Sequence, residues 1–320
     1  MPRGILRIPW LVLAAAMGLL LAGALRPASA ESPTIAVVYP DVREPFLGVF
    51  LKIISGIEDG LNSPVKKYPL DDATNVPALA SDLNRDHVDA VIALGHTGLN
   101  AAEKLRGKFP IVVGAISNTP GAAVPDLPGI TLNPDPDVMF EWLKRLAPDV
   151  KRVSVVYNQA HGDRSMDRAR ESAKAHGLVL NALPSDNISA AAASYRQVLS
   201  RVSDTPEGLW LMQDDTVLDE TTLLPAILKE AWERNLIVFC SAPEFVKKGA
   251  LFALYPDSVG MGRSLAAMAR QQLQASRAKG SPLMPLRDLL IAINVRTAEH
   301  LGLRYPMHDL NRFDMVFPAP

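Results

Sequence analysis

Polar residues of complementary character follow the short apolar runs in both halves of the sequence, and their types suit the capture of a small charged molecule. Carboxylates, hydroxyls and amides hold such a molecule by charge and hydrogen bonds without breaking a bond in it. The candidates in the first half are Tyr39, Asp41, Arg43, Gly95, His96, Thr97, Ser117 and Asn118. Those in the second half are Asn158, Gln159, Asp214, Asp215, Thr216, Ser241 and Glu244. If the two sets face one another, they line a cleft with donors on one side and acids on the other.

Three of these positions have the chemistry to hold opposite ends of one ligand. The segment Gly95–Thr97 precedes a predicted helix, whose free N–H groups and the Thr97 hydroxyl suit a carboxylate or another anion. Asp214 suits an ammonium group. Asn158 has both a donor and an acceptor, with which it bridges a ligand or stabilises its own loop.

A structural alternative exists for each of the charged and hydroxyl candidates. Thr97 is also the residue type that caps a helix. Acids after strands, such as Asp214 and Asp215, often only cap turns. His96 either stacks on a ligand or lies at the loop surface, and Arg43 is either a lid residue or a solvated surface cation.

Motifs of catalysis and of cofactor binding are missing from the sequence. There is no Gly-x-Ser-x-Gly elbow and no Walker A sequence. Gly260-Met261-Gly262 lacks the third glycine of a dinucleotide fingerprint. The histidines have no metal-ligand spacing, and Asp135 and Asp137 flank a proline at a predicted helix start, where acids cap. We therefore expect no cofactor, no metal and no enzymatic activity.

Short β-branched runs alternate with amphipathic helical patterns along the chain. Near-continuous apolar runs of this kind are typical of parallel strands covered on both faces. The predicted strands are Thr34–Tyr39, Asp89–Leu94, Pro110–Ala115, Arg152–Tyr157, Gly208–Met212, Leu236–Cys240 and Leu289–Ile293. The alternation predicts an α/β fold of two doubly wound, Rossmann-like lobes joined by a multi-strand hinge.

The pattern restarts near residue 149, which places the boundary between the lobes there. We predict a signal peptide over 1–30, a first lobe over 31–148 plus about 250–280, and a second lobe over 149–249 plus about 281–320. Several crossings between lobes favour opening and closing by rigid rotation.

The first thirty residues have the pattern of a secretory signal peptide. A short basic start precedes an apolar stretch, and Ala28-Ser29-Ala30 forms a small-x-small cleavage site before Glu31. A lipoprotein would need a cysteine where Glu31 stands, but the single cysteine is Cys240, which we expect to be buried. We therefore predict a periplasmic protein that is not a lipoprotein. The formal net charge of −1 gives no argument for binding nucleic acid.

At these same loops the chain resembles the periplasmic substrate-binding proteins of ABC transporters with the type I binding-protein fold. It is most similar to the branch whose better-known members bind aromatic amino acids. The resemblance covers nearly the whole mature chain and rests on the order and spacing of 91–97 (VIALGHT), 155–158 (VVYN), 214–217 (DDTV), 246–251 (VKKGAL) and 293–298 (INVRTA).

The resemblance implies two lobes that close over one small ligand and deliver it to a membrane permease. The family's ligand contacts fall here on Gly95–Thr97, Asn158 and Asp214. This chain departs from the family pattern at His96-Thr97, at Gln159, where a proline is usual, and at 126–131. Because these changes lie at or near the predicted cleft, the amino-acid preference of the family is not transferred with its fold.

We therefore expect a monomeric solute-binding protein for a small polar ligand, favouring an amino acid or a similar carboxylate, with an ABC permease as partner. Arg43 and Glu44 are candidates for fastening the closed state. One alternative keeps the fold but presents the ligand to a membrane sensor. Another is an exported enzyme that uses Asp214 and Asp215 with His96, and a third is a lobed scaffold without a ligand.

Overall fold

The computed structural model describes residues 33–71, 73–117, 126–202, 206–274, 283–305 and 307–318, without the side chains of 161–165 and 307–309. The predicted signal peptide over 1–30 and the candidate Asn118 lie outside these ranges. Within them the fold is α/β with two separate sheets.

The first sheet is parallel throughout and carries most of the first half of the chain. Its strands are β1 (Ile35–Pro40), β2 (Lys66–Leu70), β3 (Ala90–Leu94), β4 (Ile111–Ile116), β5 (Gly129–Pro134) and β11 (Leu283–Leu286). Their spatial order is β11-β5-β4-β3-β1-β2. Helices cover both of its faces: α1 (Phe46–Leu61), α2 (Val76–Arg85), α3 (Gly95–Leu105) and α9 (Ser258–Gln274).

The second sheet is mixed. Its strands are β6 (Arg152–Tyr157), β7 (Val179–Pro184), β8 (Glu207–Trp210), β9 (Ile237–Cys240), β10 (Phe252–Pro256), β12 (Leu289–Asn294) and β13 (Met315–Phe317). They lie in the order β13-β12-β10-β9-β8-β6-β7, and only the β10–β12 pair is antiparallel among the described strands. Its helices are α4 (Pro136–Leu146), α5 (Gln159–Ala175), α6 (Ile188–Ser200), α7 (Leu223–Glu233), α8 (Pro243–Lys248) and α10 (Val295–His300), and a 3₁₀ helix spans Met307–Arg312.

Each sheet has an apolar core on each of its faces, as the continuous apolar runs require. In β1, Val37 packs on the face of α1 and α9, whereas Val38 packs on the face of α2 and α3. In β6, Val155 packs with α4 and α5, whereas Val156 packs with α6 and α7. Cys240 is fully buried, and burial raises the pKa of its thiol to about 12, so it behaves as a small core residue. None of the described helices is both long and apolar enough to cross a membrane.

The strands predicted from apolar runs are confirmed, each within two residues at either end. The sequence did not predict β2, β5, β7 and β11, each of which contains a proline, or the three-residue strand β13. Four of these, β2, β7, β11 and β13, are the edges of the two sheets, where only part of each strand is buried and no long apolar run is needed.

The sheets divide the chain differently from the predicted boundaries. Strand β10, which was expected to return to the first lobe, pairs with β9 and β12 in the second sheet. Strand β11, which was placed in the second lobe, pairs with β5 in the first. Helix α4 packs against α5 and the second sheet, although the boundary was expected after it. The chain therefore crosses between sheets at Asp135, at Asp257 and at 287–288.

Candidate functional site

The carboxyl ends of both sheets lie at the junction where the chain crosses. Strand β5 ends at Pro134 and α4 begins at Pro136, so the first sheet leads into the second through a single residue. Strand β10 ends at Pro256 and α9 of the first lobe begins at Ser258. Because β5 is parallel to its neighbours and β10 is parallel to β9, the carboxyl edges of both sheets are directed toward these crossings. Open α/β sheets bind ligands at this edge.

In the first lobe, Gly95, His96 and Thr97 form the first turn of α3, and the loop expected before the helix is not present. Gly95 has φ +68°, and a Cβ there would come within 3.1 Å of the Pro40 ring, so the turn from β3 into α3 requires glycine. Among the described residues no side chain caps this helix. Its first amides therefore have no intrahelical acceptor and are available to an anion.

A contact between two side chains links two elements at this edge. His96 Nε2 lies 3.0 Å from Ser117 Oγ, which joins the start of α3 to the end of β4. Both side chains are exposed. The pair brings together two of the residues predicted from sequence.

The remaining first-lobe candidates lie at the end of β1 and on the segment that follows it. Tyr39 is buried in the core between β1 and α1, whereas Asp41 and Arg43 are exposed. Glu44 accepts a hydrogen bond from the amide of Gly48 at 3.2 Å, which satisfies a free amide in the first turn of α1. This segment is an exposed rim beside the His96–Ser117 pair.

In the second lobe three candidates form one hydrogen-bonded cluster. Asp214 Oδ1 accepts the amide of Thr216 at 2.9 Å and its hydroxyl at 2.5 Å. Asn158 Nδ2 in turn donates to Thr216 Oγ1 at 2.8 Å. Asn158 is also the N-cap of α5, since its Oδ1 accepts the amide of Ala160 at 2.9 Å. The cluster joins the loop after β6 to the segment after β8 and holds the Asp214 carboxylate at the carboxyl edge.

The other second-lobe candidates surround this cluster. Ser241 donates to Gln213 Oε1 at 3.1 Å and so connects the ends of β8 and β9. Gln159, Asp215 and Glu244 are exposed, Gln159 at the start of α5 and Glu244 in the first turn of α8. No group of three or more acidic, histidine or cysteine side chains in the described ranges is arranged to hold a metal ion.

Sequence reasoning missed two aromatic residues at this edge. The Phe50 ring would lie 3.3 Å from a Cβ on Gly95, so it packs against the turn into α3. Tyr195 of α6 is 1% exposed and belongs to the same apolar core as Leu211 and Val217, which flank Asp214 in sequence. Phe50 could have been found from the spacing of the apolar stripe of α1. Tyr195 gave no such signal, because a tyrosine on the apolar face of a helix is ordinary core material.

The chain matches a known family in sequence and several solved structures in fold. A profile of a family described as ABC transporter substrate-binding protein matches residues 51–313. No curated protein sequence matches the chain significantly. Among solved structures, a ligand-free, open substrate-binding protein with adhesive properties from Clostridium difficile is 19% identical with a TM-score of 0.59, and the match covers 90% of this chain and 100% of that one. That likeness supports the two-lobed, type I binding-protein fold.

Two further structures have TM-scores of 0.49. One is an ABC domain in complex with L-Trp from Streptococcus pneumonia, 19% identical, with 90% of this chain and 100% of that chain covered. The other is an arabinose-binding protein from Geobacillus stearothermophilus, 12% identical, with 86% and 100% covered.

Proposed function

The chain belongs to the family of ABC transporter substrate-binding proteins, and on that premise we propose that it captures a small polar ligand between its two lobes outside the cytoplasm. The observation that carries the proposal is the location of the polar clusters. The His96–Ser117 pair and the Asn158–Thr216–Asp214 cluster come from different sheets, and both lie at the carboxyl edges that are directed toward the crossings.

The two clusters differ in polarity, which favours a ligand with two unlike ends. On the first lobe, the free amides at the start of α3 suit a carboxylate. On the second lobe, the Asp214 carboxylate suits an ammonium group. An amino acid has both groups a few bonds apart, and it is therefore the ligand class that we propose. A ligand that contacts both lobes binds the closed arrangement more tightly than the open one. This difference in affinity sets how far the ligand shifts the population toward the closed arrangement.

We propose further that the protein is an exported monomer, with the signal peptide over 1–30 removed, and that an ABC permease receives the ligand. The family supports a small-molecule ligand and a transporter partner. Affinity capture with tagged protein from detergent-solubilised membranes tests the partner: recovery of a permease supports delivery, whereas recovery of a sensor kinase or cyclase contradicts delivery and leaves capture intact.

Native mass spectrometry of the mature protein purified from cells, before and after denaturation and refolding, tests ligand capture. We expect a discrete adduct that refolding removes and whose mass identifies its chemical class. Small-angle X-ray scattering with and without that compound tests closure, which should reduce the radius of gyration. A protein that carries no adduct and shows no thermal shift with any amino acid would contradict the proposal.

The Asp214→Ala variant tests the assignment of the cationic end. Removing the partner of a buried ammonium costs several kcal/mol, so we expect affinity to fall by about 30-fold or more in calorimetric titration. Asp149→Ala is the matched control, because Asp149 is exposed in the turn before β6, at the opposite edge of the same sheet. Binding by Asp214→Ala within about twofold of wild type would show that Asp214 does not hold the ligand.

A further inference from the structure

One buried hydroxyl in the core beside the second-lobe cluster has no hydrogen-bond partner in the part of the chain that the structure describes. Tyr195 is 1% exposed, and among the buried side-chain nitrogen and oxygen atoms in the described ranges its Oη alone lacks a hydrogen-bond partner. Buried polar groups are hydrogen-bonded in nearly all native proteins, because an unpaired one loses its hydration without compensation. A group left in this state calls for a physical explanation.

The position of Tyr195 in α6 directs this hydroxyl toward the carboxyl edge. Helix α6 follows β7, so its N-terminus lies at that edge, and Tyr195 lies seven residues beyond Ile188, roughly 10 Å along the helix axis. Side chains in helices lean toward the helix N-terminus. The Tyr195 side chain therefore extends from α6 in the direction of that edge.

The surroundings of Tyr195 connect it with Asp214. Its ring packs in the same core as Leu211, Val217 and Leu218. The amides of Val217 and Leu218 bond to the carbonyl oxygen of Asp214 at 3.0 and 2.9 Å, so these residues form the turn that carries the carboxylate. Burial raises the pKa of Tyr195 far above its usual range, and the negative charge of Asp214 raises it further. The carboxylate is thus within electrostatic reach of the hydroxyl.

We propose that Tyr195 is a positioning residue: when the ligand binds, a local shift within the second lobe lets its hydroxyl donate a hydrogen bond to the Asp214 carboxylate and hold it against the cationic group of the ligand. This inference rests on the proposed function. A carboxylate accepts up to about four hydrogen bonds on its two oxygens, and both bonds from Thr216 go to Oδ1. A hydrogen bond to an ionised acceptor is about twice as strong as a neutral one. Because Tyr195 gains its partner only in the bound state, it favours that state over the ligand-free one.

The test compares Tyr195→Phe with wild type in two measurements. The probe is a mixture of the common L-amino acids in a thermal-shift assay, followed by calorimetric titration with the one that gives the largest shift. We expect Tyr195→Phe to bind about tenfold more weakly. We also expect its ligand-free denaturation midpoint to be unchanged or higher, since the substitution removes an unpaired buried hydroxyl.

Tyr305→Phe is the matched control, because the Tyr305 hydroxyl donates to the carbonyl of Leu146 at 2.8 Å in the same lobe. It should show the reverse pattern, with a lower midpoint and unchanged affinity. If wild type binds an amino acid and Tyr195→Phe binds it equally well, only the role of Tyr195 is overturned. A lower ligand-free midpoint with unchanged affinity would likewise show that the hydroxyl serves the fold alone, through a buried water. If wild type binds no amino acid, the proposed ligand class and this role fail together.

Discussion

Thr216 is the residue on which the second-lobe cluster depends. Its hydroxyl donates to Asp214 and accepts from Asn158, and its amide bonds to the same Asp214 oxygen. It thus fixes two proposed ligand contacts that come from different loops.

Replacing Thr216 with valine keeps the shape and removes both hydroxyl hydrogen bonds. At about 1 kcal/mol for each, we expect roughly tenfold weaker ligand binding or more in calorimetric titration, with a small loss of stability. Thr221→Val is the control, since that exposed hydroxyl, in the same lobe, bonds to Asp219 and to no proposed ligand contact in the described ranges. Equal effects of the two variants on affinity would contradict the role given to Thr216.

At the scale of elements, the first lobe depends on close packing between α1 and α9. A Cβ on Gly56 would lie 2.1 Å from the carbonyl oxygen of Val259, and one on Gly262 would lie 2.1 Å from that of Ile53. The two helices therefore touch through their backbones. Because α9 reaches the first lobe only after the chain has visited the second, this contact fastens a distant segment of the sequence to the start of the fold.

Gly56→Ala should separate these helices. Since the obstructing atoms are backbone, we expect a loss of about 1–3 kcal/mol in the free energy of unfolding, measured by urea denaturation. Gly48→Ala in the same helix is the control. Its Cβ would meet only the flexible end of Glu44, so stability should stay the same or rise by up to about 1 kcal/mol. If Gly56→Ala proved as stable as Gly48→Ala, helix propensity, and not the close approach of the two backbones, would govern this site.

At the scale of the whole molecule, a charged network holds two of the crossings together. The Asp135 side chain is fully buried and accepts Arg168 Nε at 3.1 Å and Nη2 at 2.7 Å, and Arg287 Nη1 at 2.8 Å. Arg287 also bonds to Asp137, which accepts His176 at 2.9 Å. Residues 135–137 and 287 belong to different crossings, so the network ties the crossings to each other and to α5. We interpret it as the rigid part of the hinge.

This network makes stability depend on pH. Burial acts to raise the pKa of Asp135, but the hydrogen bonds from Arg168, from the Asp137 amide and from Arg287 hold it below its usual value. The pKa of Asp137 is also lowered, chiefly by a hydrogen bond from His176 and further by one from Arg287. Burial raises this pKa by a smaller amount than the His176 bond lowers it. Carboxylates with lowered pKa stabilise the fold above their unfolded pKa, so this contribution should be lost as the pH falls below about 4.

Asp135→Asn checks this stabilisation. It leaves two arginines without their shared carboxylate, and because both are half exposed we expect a loss of about 2–3 kcal/mol at neutral pH. The loss should shrink as the pH falls below about 4, because Asp135 of the unfolded chain is then protonated and wild type loses this contribution as well. Asp126→Asn is the control, because that carboxylate is 89% exposed and lies 3.8 Å from Arg106. A pH-independent difference between Asp135→Asn and wild type would contradict the electrostatic interpretation.

The sequence by itself determined the fold class and the edge at which the polar clusters lie. Strands buried on both faces keep a continuous apolar run, so they were recognised, and the polar residues after them necessarily lie at the carboxyl edge of a parallel sheet. Edge strands such as β2 have no such run and were missed. The chemical character of Gly95, Asn158 and Asp214 was likewise readable from residue type and from family resemblance.

Only the tertiary structure decided which sheet each late element joins and which side chains meet. The apolar sequence of β10 suits a strand in either sheet. Its place in the second sheet follows from pairing with β9 and β12, and local sequence does not encode these contacts. The Asn158–Thr216 bond joins residues 58 positions apart. The unpaired Tyr195 hydroxyl beneath Asp214 arises in the same way, because a hydrogen-bond partner is a property of three-dimensional surroundings and not of residue type.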